Sequence, residues 1–257
     1  MNRPSLHDSF AVALALAVVL AGCSALEPDP TREDRAVAAL EQSQDRLEAV
    51  ESYRTSGTIR VVASANDRTE QMTVEHRSVV DVDERKMRTN STADGETTQS
   101  FLVDRTTYQQ CPRPWGGWAV EEAESDGNWL DLTPAASQLS LLEEGSLTWN
   151  GTGTVDGREA VRLVGHPPAS ALDEEQAGGG SIPGLGGPNV EDVTVELWID
   201  RETDLPLEST LEFEVTGGDG SAHASSTTRY AEYDEPVSIE LPYDEIENTY
   251  ELGCPGS

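Results

Sequence analysis

The feature that most restricts the fold is a strict two-residue alternation near the C-terminal end. Val193, Val195, Leu197 and Ile199 take one parity, and Thr194, Glu196, Trp198 and Asp200 take the other. After a turn at Asp200–Asp204, Leu205, Leu207, Leu211, Phe213 and Val215 again share one parity, with Glu208, Glu212 and Glu214 opposite. Successive side chains of a strand point to opposite faces, so this pattern demands an antiparallel pair buried on one face and solvated on the other. The same period runs earlier: Ile59, Val61 and Ala63 alternate with Thr58, Arg60 and Val62, and Met72, Val74, Val80 and Val82 share a parity. Shorter strands are expected over 84–91, 97–104, 115–122, 146–154, 159–165 and 222–233, with Val237–Pro242 closing the sheet.

Two segments break the period. Residues 31–53 read as one amphipathic helix, with Thr31 as its cap, Glu33 and Asp34 in its first turn, and Val37, Leu40, Leu47 and Val50 on a face that Gln44 interrupts. A second, shorter helix fits Pro134 to Glu144, with proline at its first turn and Gly145 ending it. Both are expected to cover a sheet. The stretch 166–190, with Gly178-Gly179-Gly180 and Ile182-Pro183-Gly184-Leu185-Gly186-Gly187-Pro188, has no regular period and is expected to be a mobile loop. No repeat or shift of composition divides the chain, so residues 31–257 are read as one domain.

The N-terminus has the layout of an export signal: Arg3, the uncharged run Phe10 to Ala21, then Leu20-Ala21-Gly22-Cys23. That run of 12 residues is too short for a membrane-spanning helix, which takes about 20. Leu-Ala-Gly-Cys resembles a bacterial-type lipobox, in which residues 1–22 are removed and the cysteine sulfur carries a diacylglyceryl group. An ordinary cleaved signal with a chance cysteine is the alternative. Residues 23–30 then form a lipidated tether, and the protein is expected on the extracytoplasmic face of the cell membrane, held there through Cys23. Cys111 and Cys254 remain; on an exported chain they can form a disulfide, with two free thiols as the alternative.

The formal charge is −31, and Lys86 is the single lysine among 17 basic residues. Such a surface repels phosphate backbones, which argues against nucleic acid as a partner. The acids spread along the whole chain rather than forming a tail, and the composition looks like that of a salt-adapted protein.

Chemistry is sparse. His76, His166 and His223 have no metal-ligand spacing, so no metal or other cofactor is expected. Ser181, in Gly180-Ser181-Ile182-Pro183-Gly184, is one residue off a nucleophile elbow and lies between no strand and helix. In so acidic a chain, carboxylate pairs say nothing about acid–base catalysis, and no enzyme is expected. Asn90-Ser91-Thr92 and Asn150-Gly151-Thr152 could accept glycans, which would put Asn90 and Asn150 on exposed turns or strand ends. Trp198 has the parity opposite the apolar face, so its ring needs another cover: a helix, the Gly/Pro-rich loop, a ligand or solvent.

The order of elements carries a resemblance. A helix ending near Tyr53-Arg54-Thr55-Ser56-Gly57 enters a long meander, Tyr108-Gln109-Gln110-Cys111 precedes Gly117-Trp118-Ala119-Val120-Glu121, and Trp198-Ile199-Asp200 and Pro236-Val237-Ser238-Ile239-Glu240-Leu241-Pro242 follow. Over roughly 31–242 this resembles the LolA-like superfamily of lipoprotein carriers, including LppX and LprG, and more narrowly haloarchaeal lipoproteins of that plan. The resemblance implies an α+β fold: a curved antiparallel sheet, a half-open barrel, with helices across its concave face. It also implies a lipid or other hydrophobic ligand held between them. Trp118, Trp129, Trp198, Ile182 and Leu185 are the residues expected to line or cover such a cavity. A structural or interaction lipoprotein with no cavity, recognising an unknown protein partner, is the alternative. Shuttling of lipoproteins to an outer membrane is not carried over.

Overall fold

The computed structural model describes residues 30–66, 68–122, 128–172, 189–217, 220–242, 246, 249–250 and 253–255. Cys23, Ser181, Ile182 and Leu185 lie outside these residues. The chain divides into two units, Met1–Pro30 and Thr31–Ser257, and the second is described here.

Twelve strands form one curved sheet, open at both ends. They are β1 (Ser52–Ala65), β2 (Arg68–Asp81), β3 (Lys86–Ala93), β4 (Glu96–Val103), β5 (Thr106–Gln110), β6 (Trp118–Glu122), β7 (Ser146–Val155), β8 (Arg158–His166), β9 (Asn189–Asp200), β10 (Pro206–Gly217), β11 (Gly220–Ala231) and β12 (Thr249–Tyr250). The order across the sheet is β12-β6-β5-β4-β3-β2-β1-β11-β10-β9-β8-β7. All neighbours are antiparallel except β12 and β6. Two meanders therefore meet at a central seam between β1 and β11, which runs from Arg54↔Ala231 to Ala65↔Gly220 without a shift of register.

Residues paired across a ladder share a face. On one face lie Tyr53, Val80 and Leu102 from the first meander and Leu163, Val195, Leu197, Phe213 and Val215 from the second. Helices α1 (Asp34–Glu48) and α2 (Pro134–Leu141) pack there, with Ala36, Leu40, Leu47, Ala135, Leu139 and Leu142 in the same apolar cluster. Helix α2 is pinned at its start by two phenols from the sheet. Ala135 N–H donates to Tyr53 Oη at 3.4 Å, and the Tyr230 hydroxyl donates to Pro134 O at 3.4 Å. Burial pushes the Tyr53 phenol up to about 12, so it stays neutral at any physiological pH. At the helix end Leu142 reaches Gly165 on β8, where an added Cβ would lie 2.5 Å from a Leu142 methyl.

The second helix begins at Pro134 as expected and ends earlier, with residues 142–144 tightening into a turn before Gly145 (φ 71°). The first helix is shorter than the pattern implied. Val50 still points into the core, but from Ser52 the backbone pairs with Asp81 and Val80, and that ladder overrides helical continuation. Thr31 does not cap it. Its carbonyl accepts from Leu147 N–H at 3.0 Å, placing it in extended backbone beside β7, and Glu33 stands at the cap position.

The turn after β9 is built on Asp200. Its carboxylate accepts from Glu202 N–H (2.8 Å) and Thr203 N–H (2.9 Å) and pairs with Arg158 Nε (2.7 Å). Burial alone would raise this carboxyl's pKa; the backbone donors and Arg158 outweigh it and hold the group below its ordinary value.

Val237–Pro242 is not a strand. Ile239 and Leu241 instead cover Phe101 and Trp118, with Val79, Val103, Tyr108 and Ile246 around them. Val79, Phe101 and Tyr108 occupy one ladder row across β2, β4 and β5 and have the parity opposite Val80 and Leu102. The C-terminal segment therefore crosses the outer face of the sheet, away from the helices. Pro236 and Pro242, which lack an N–H donor, suit a segment held by side-chain burial rather than by a ladder. The Cys111–Cys254 disulfide ties its far end to the loop after β5.

Of the expected loop 166–190, residues 173–188 lie outside the described residues. His166 ends β8, Ala169–Ala171 form one tight helical turn, and Asn189 opens β9.

Candidate functional site

Helices α1 and α2 do not cover all of the sheet face on which they sit. The distal halves of β1 and β2 extend beyond them, and the residues with the helix-facing parity there are apolar from Ile59 to Ala65 on β1 and at Met72 and Val74 on β2. Ile59 pairs with Val74 and Val61 with Met72; on either side lie Ser226, Ala224 and Ala93. Ile59 is 37% exposed and Met72 50% exposed, whereas Tyr53 and Val80, on the same face of the same strands, are wholly buried. Apolar side chains of a half-buried strand are expected to face the core, so an open stripe on the core-facing side calls for a cover. Ala63, Ala65, Arg68 and Glu70, all of that parity, line with Asn66 a depression of about 320 Å³ at the hairpin tip that continues the stripe.

The floor between stripe and core is small and uncharged. Gly57 lies in the row between Thr228 and His76, and a Cβ there would fall 2.3 Å from Thr227 O and 2.6 Å from His76 Cε1. The missing side chain lets the imidazole lie across β1 and bring Nε2 to 3.3 Å from Thr228 Oγ1. Burial disfavours the imidazolium and lowers the His76 pKa, so the ring is neutral at neutral pH. An exposed apolar stripe, bordered by the neutral row of Gly57 and His76 and by Arg68 and Glu70 at the tip, offers a hydrophobe a surface to lie on.

The outer face differs. Two grooves there, about 360 and 370 Å³, share Glu75 and Arg77 and are lined by Ser56, Thr58, Thr227, Asn90, Thr97 and Gln99 among others. These walls offer hydrogen bonds and little apolar area, and do not suit a hydrophobe. Among the described residues, no group of three or more His, Cys, Asp or Glu side chains is placed to hold a metal ion.

The tryptophans expected near a cavity separate. Trp129 is buried in the helix-side cluster, in the short turn Trp129–Leu132 that precedes α2. Trp118 is buried on the outer face against Phe101, with ring centroids 5.8 Å apart. It therefore lines no helix–sheet cavity. Trp198 is also on the outer face: its Nε1–H donates to Glu196 Oε1 at 2.7 Å, and the Arg162 guanidinium stands 5.7 Å from its ring centroid. The ring reaches Gly153, where a Cβ would lie 2.7 Å from it. Among the described residues its cover is thus an arginine and a bare stretch of β7. The sequons separate as well. Asn150 is exposed at an irregularity in β7, while Asn90 is half-buried within β3 and accepts from Gln99 Nε2 at 3.1 Å, so it stands on neither a turn nor a strand end.

Ile59 and Met72 were not singled out by sequence reasoning. Their parity was legible; that neither described helix reaches them was not.

No family model matches this sequence, and no curated protein matches it. Among solved structures, the chain is similar to the lipoprotein LppX of Mycobacterium tuberculosis, with 16% identity and a TM-score of 0.46, over 81% of this chain and 100% of that one. It is similar to LprF of Mycobacterium bovis, also 16% identical, with a TM-score of 0.48 over 83% and 99% of the two chains. A LolA superfamily protein of Nitrosomonas europaea gives 9% identity and a TM-score of 0.31 over 83% and 97%. These figures describe likeness of form and carry no weight on residue roles.

Proposed function

We propose that this chain is an exported lipoprotein, anchored through Cys23 to the outer face of the cell membrane, that binds a lipid or similar hydrophobic ligand in the open trough along β1 and β2. It acts by binding rather than by catalysis. The observation that carries the reading is the exposed pair Ile59 and Met72 on the sheet face that elsewhere forms the core. Each methylene that leaves water for the trough contributes about 0.8 kcal/mol, so a long acyl or prenyl chain needs few polar contacts to bind.

The test is binding of a fluorescent long-chain acyl probe to the processed protein in high salt. Ile59→Asp with Met72→Asp is expected to weaken binding about 10- to 100-fold, the loss of roughly 1.5–3 kcal/mol of apolar contact. The melting temperature is read in the same high salt, so that lost affinity counts only for a chain that stays folded. Unchanged affinity in that variant, or a wild-type chain that ignores the probe, would remove the trough as the site.

A second reading has an observation of its own. Where α1 and α2 meet the sheet the interface is filled by side chains of near-zero exposure, which favours an interaction lipoprotein with a solid core. Crosslinking that captured one protein partner, together with no lipid carried through purification, would favour it. The anchor is tested separately: Cys23→Ser is expected to move the protein from the membrane fraction to the soluble one, and retention in the membrane would end that part of the proposal.

A further inference from the structure

We infer that Asn150, and not Asn90, is a glycan-bearing asparagine, and that the sugar shields the unpaired edge of the sheet. The inference rests on the exported location proposed above. The two sequons are equivalent in sequence, and their surroundings in the fold are opposite.

Asn90 sits in the middle of β3 with ladder partners on both sides, Arg77 on β2 and Gln99 on β4. Its amide oxygen is engaged by Gln99 Nε2, and Ser91 and Thr92 are half-buried with it. A transferase must grip the backbone of the sequon and turn the asparagine amide toward a sugar donor. In β3 that would mean parting two ladders. At Asn150 only the last residue of the sequon, Thr152, is held by a ladder, and on one side alone. Asn150, Gly151 and Thr152 are all exposed, and the pairing of β7 with β8 jumps from Trp149↔Leu163 to Thr152↔Val161, leaving Asn150 and Gly151 outside the register. Gly151 has φ 90°, and nothing lies within 4 Å of where its Cβ would stand, so this stretch bends outward into open space.

The position also has a consequence for the sheet. β7 is the last strand on its side. Its outward edge is covered as far as Trp149: Leu147 exchanges backbone hydrogen bonds with Thr31 and Glu33, Trp149 N–H donates to the Glu33 carboxylate, and Arg35 Nη2 donates to Trp149 O. Among the described residues, Asn150 is the first past that cover. An uncovered edge invites pairing with another chain, and a bulky hydrophilic group there would block it. The reaction joins Asn150 Nδ2 to the anomeric carbon of a sugar. The bond from that carbon to a phosphate oxygen of a lipid-linked sugar donor breaks, the lipid phosphate leaves, and the amide nitrogen gives up one proton.

The experiment is peptide mapping by mass spectrometry of the full chain isolated from the membrane fraction of its own source, with the N-terminal peptide read in the same run. A sugar mass on the Asn150 peptide, absent from the Asn90 peptide and lost in both Asn150→Gln and Thr152→Ala, is the expected result. A bare Asn150, or an occupied Asn90, overturns the assignment. An unprocessed N-terminus would instead count against the exported location. For the shielding role, Asn150→Gln protein should self-associate at lower concentration than the glycosylated chain in light scattering; identical association overturns it.

Discussion

Cys254→Ser lowers the stability of the folded chain by about 2–5 kcal/mol and frees its last residues to proteolysis. The bond closes a loop with a sequence separation of 143 residues, for which loss of unfolded-chain entropy alone gives about 5 kcal/mol as an upper figure. The local effect is as specific as the global one. The tail over the outer face is held at one end by the Ser52 hydroxyl donating to Glu235 O at 2.6 Å and at the other by the disulfide. Between them the described contacts are few: Ile239 and Leu241 on Phe101 and Trp118, and the two-residue pairing of Thr249 and Tyr250 with Trp118 and Ala119. With the covalent tie gone, Trp118 should gain solvent, shifting its fluorescence to longer wavelength before global unfolding. Limited proteolysis should then cut C-terminal to Glu235, where the wild type resists it. Denaturant midpoints and cleavage patterns that match the wild type under reducing and oxidising conditions alike would show that the tie contributes nothing.

Dilution from molar potassium chloride to about 0.1 M should unfold the chain or bring it close to unfolding. The net charge is −31. On the outer face of the second meander, Glu208 is paired with Arg229 and Glu196 with Arg162. Glu214, however, stands directly opposite Glu191, where like charges oppose pairing. Two carboxylates about 6 Å apart repel by roughly 0.7 kcal/mol in water-like surroundings. Molar salt shortens the screening length to about 3 Å against about 10 Å at 0.1 M, so many such terms appear together on dilution. Glu191→Gln with Glu214→Gln should recover part of the loss, about 0.5–1 kcal/mol at low salt and almost nothing at high salt. A melting temperature that stays level from 0.1 M to 3 M salt would rule out a salt-adapted surface.

Much of the sheet was legible because a strand that is wet on one side records its own orientation. Val193 to Ile199 and Leu205 to Val215 are buried in the parity their alternation announces. Pro134 and Gly145 bracket the second helix for reasons internal to the backbone. What sequence pattern could not carry was anything decided by a distant partner. Tyr53 reads as helix by continuity and becomes strand because Val80 is opposite it. Ile239 and Leu241 alternate like strand residues, yet they serve as a side-chain cover for Phe101 and Trp118. The candidate trough was hidden for the same reason. Ile59 and Met72 have the same period as Tyr53 and Val80, and only the reach of two helices separates exposed from buried. Trp198 was legible as an exception, but its actual cover depends on Gly153, 45 positions away and silent by itself.

The seam between β1 and β11 dictates the order of events during assembly. The strand formed first from the N-terminal side, residues 52–65, finds one of its two neighbours only when residues 220–231 become available. Until then each meander has a raw inner margin, and neither can complete the shared surface under the helices. Contacts so far apart along the chain close slowly. Such a polypeptide gains its joint stability in one late step, once residues 220–231 lie beside residues 52–65.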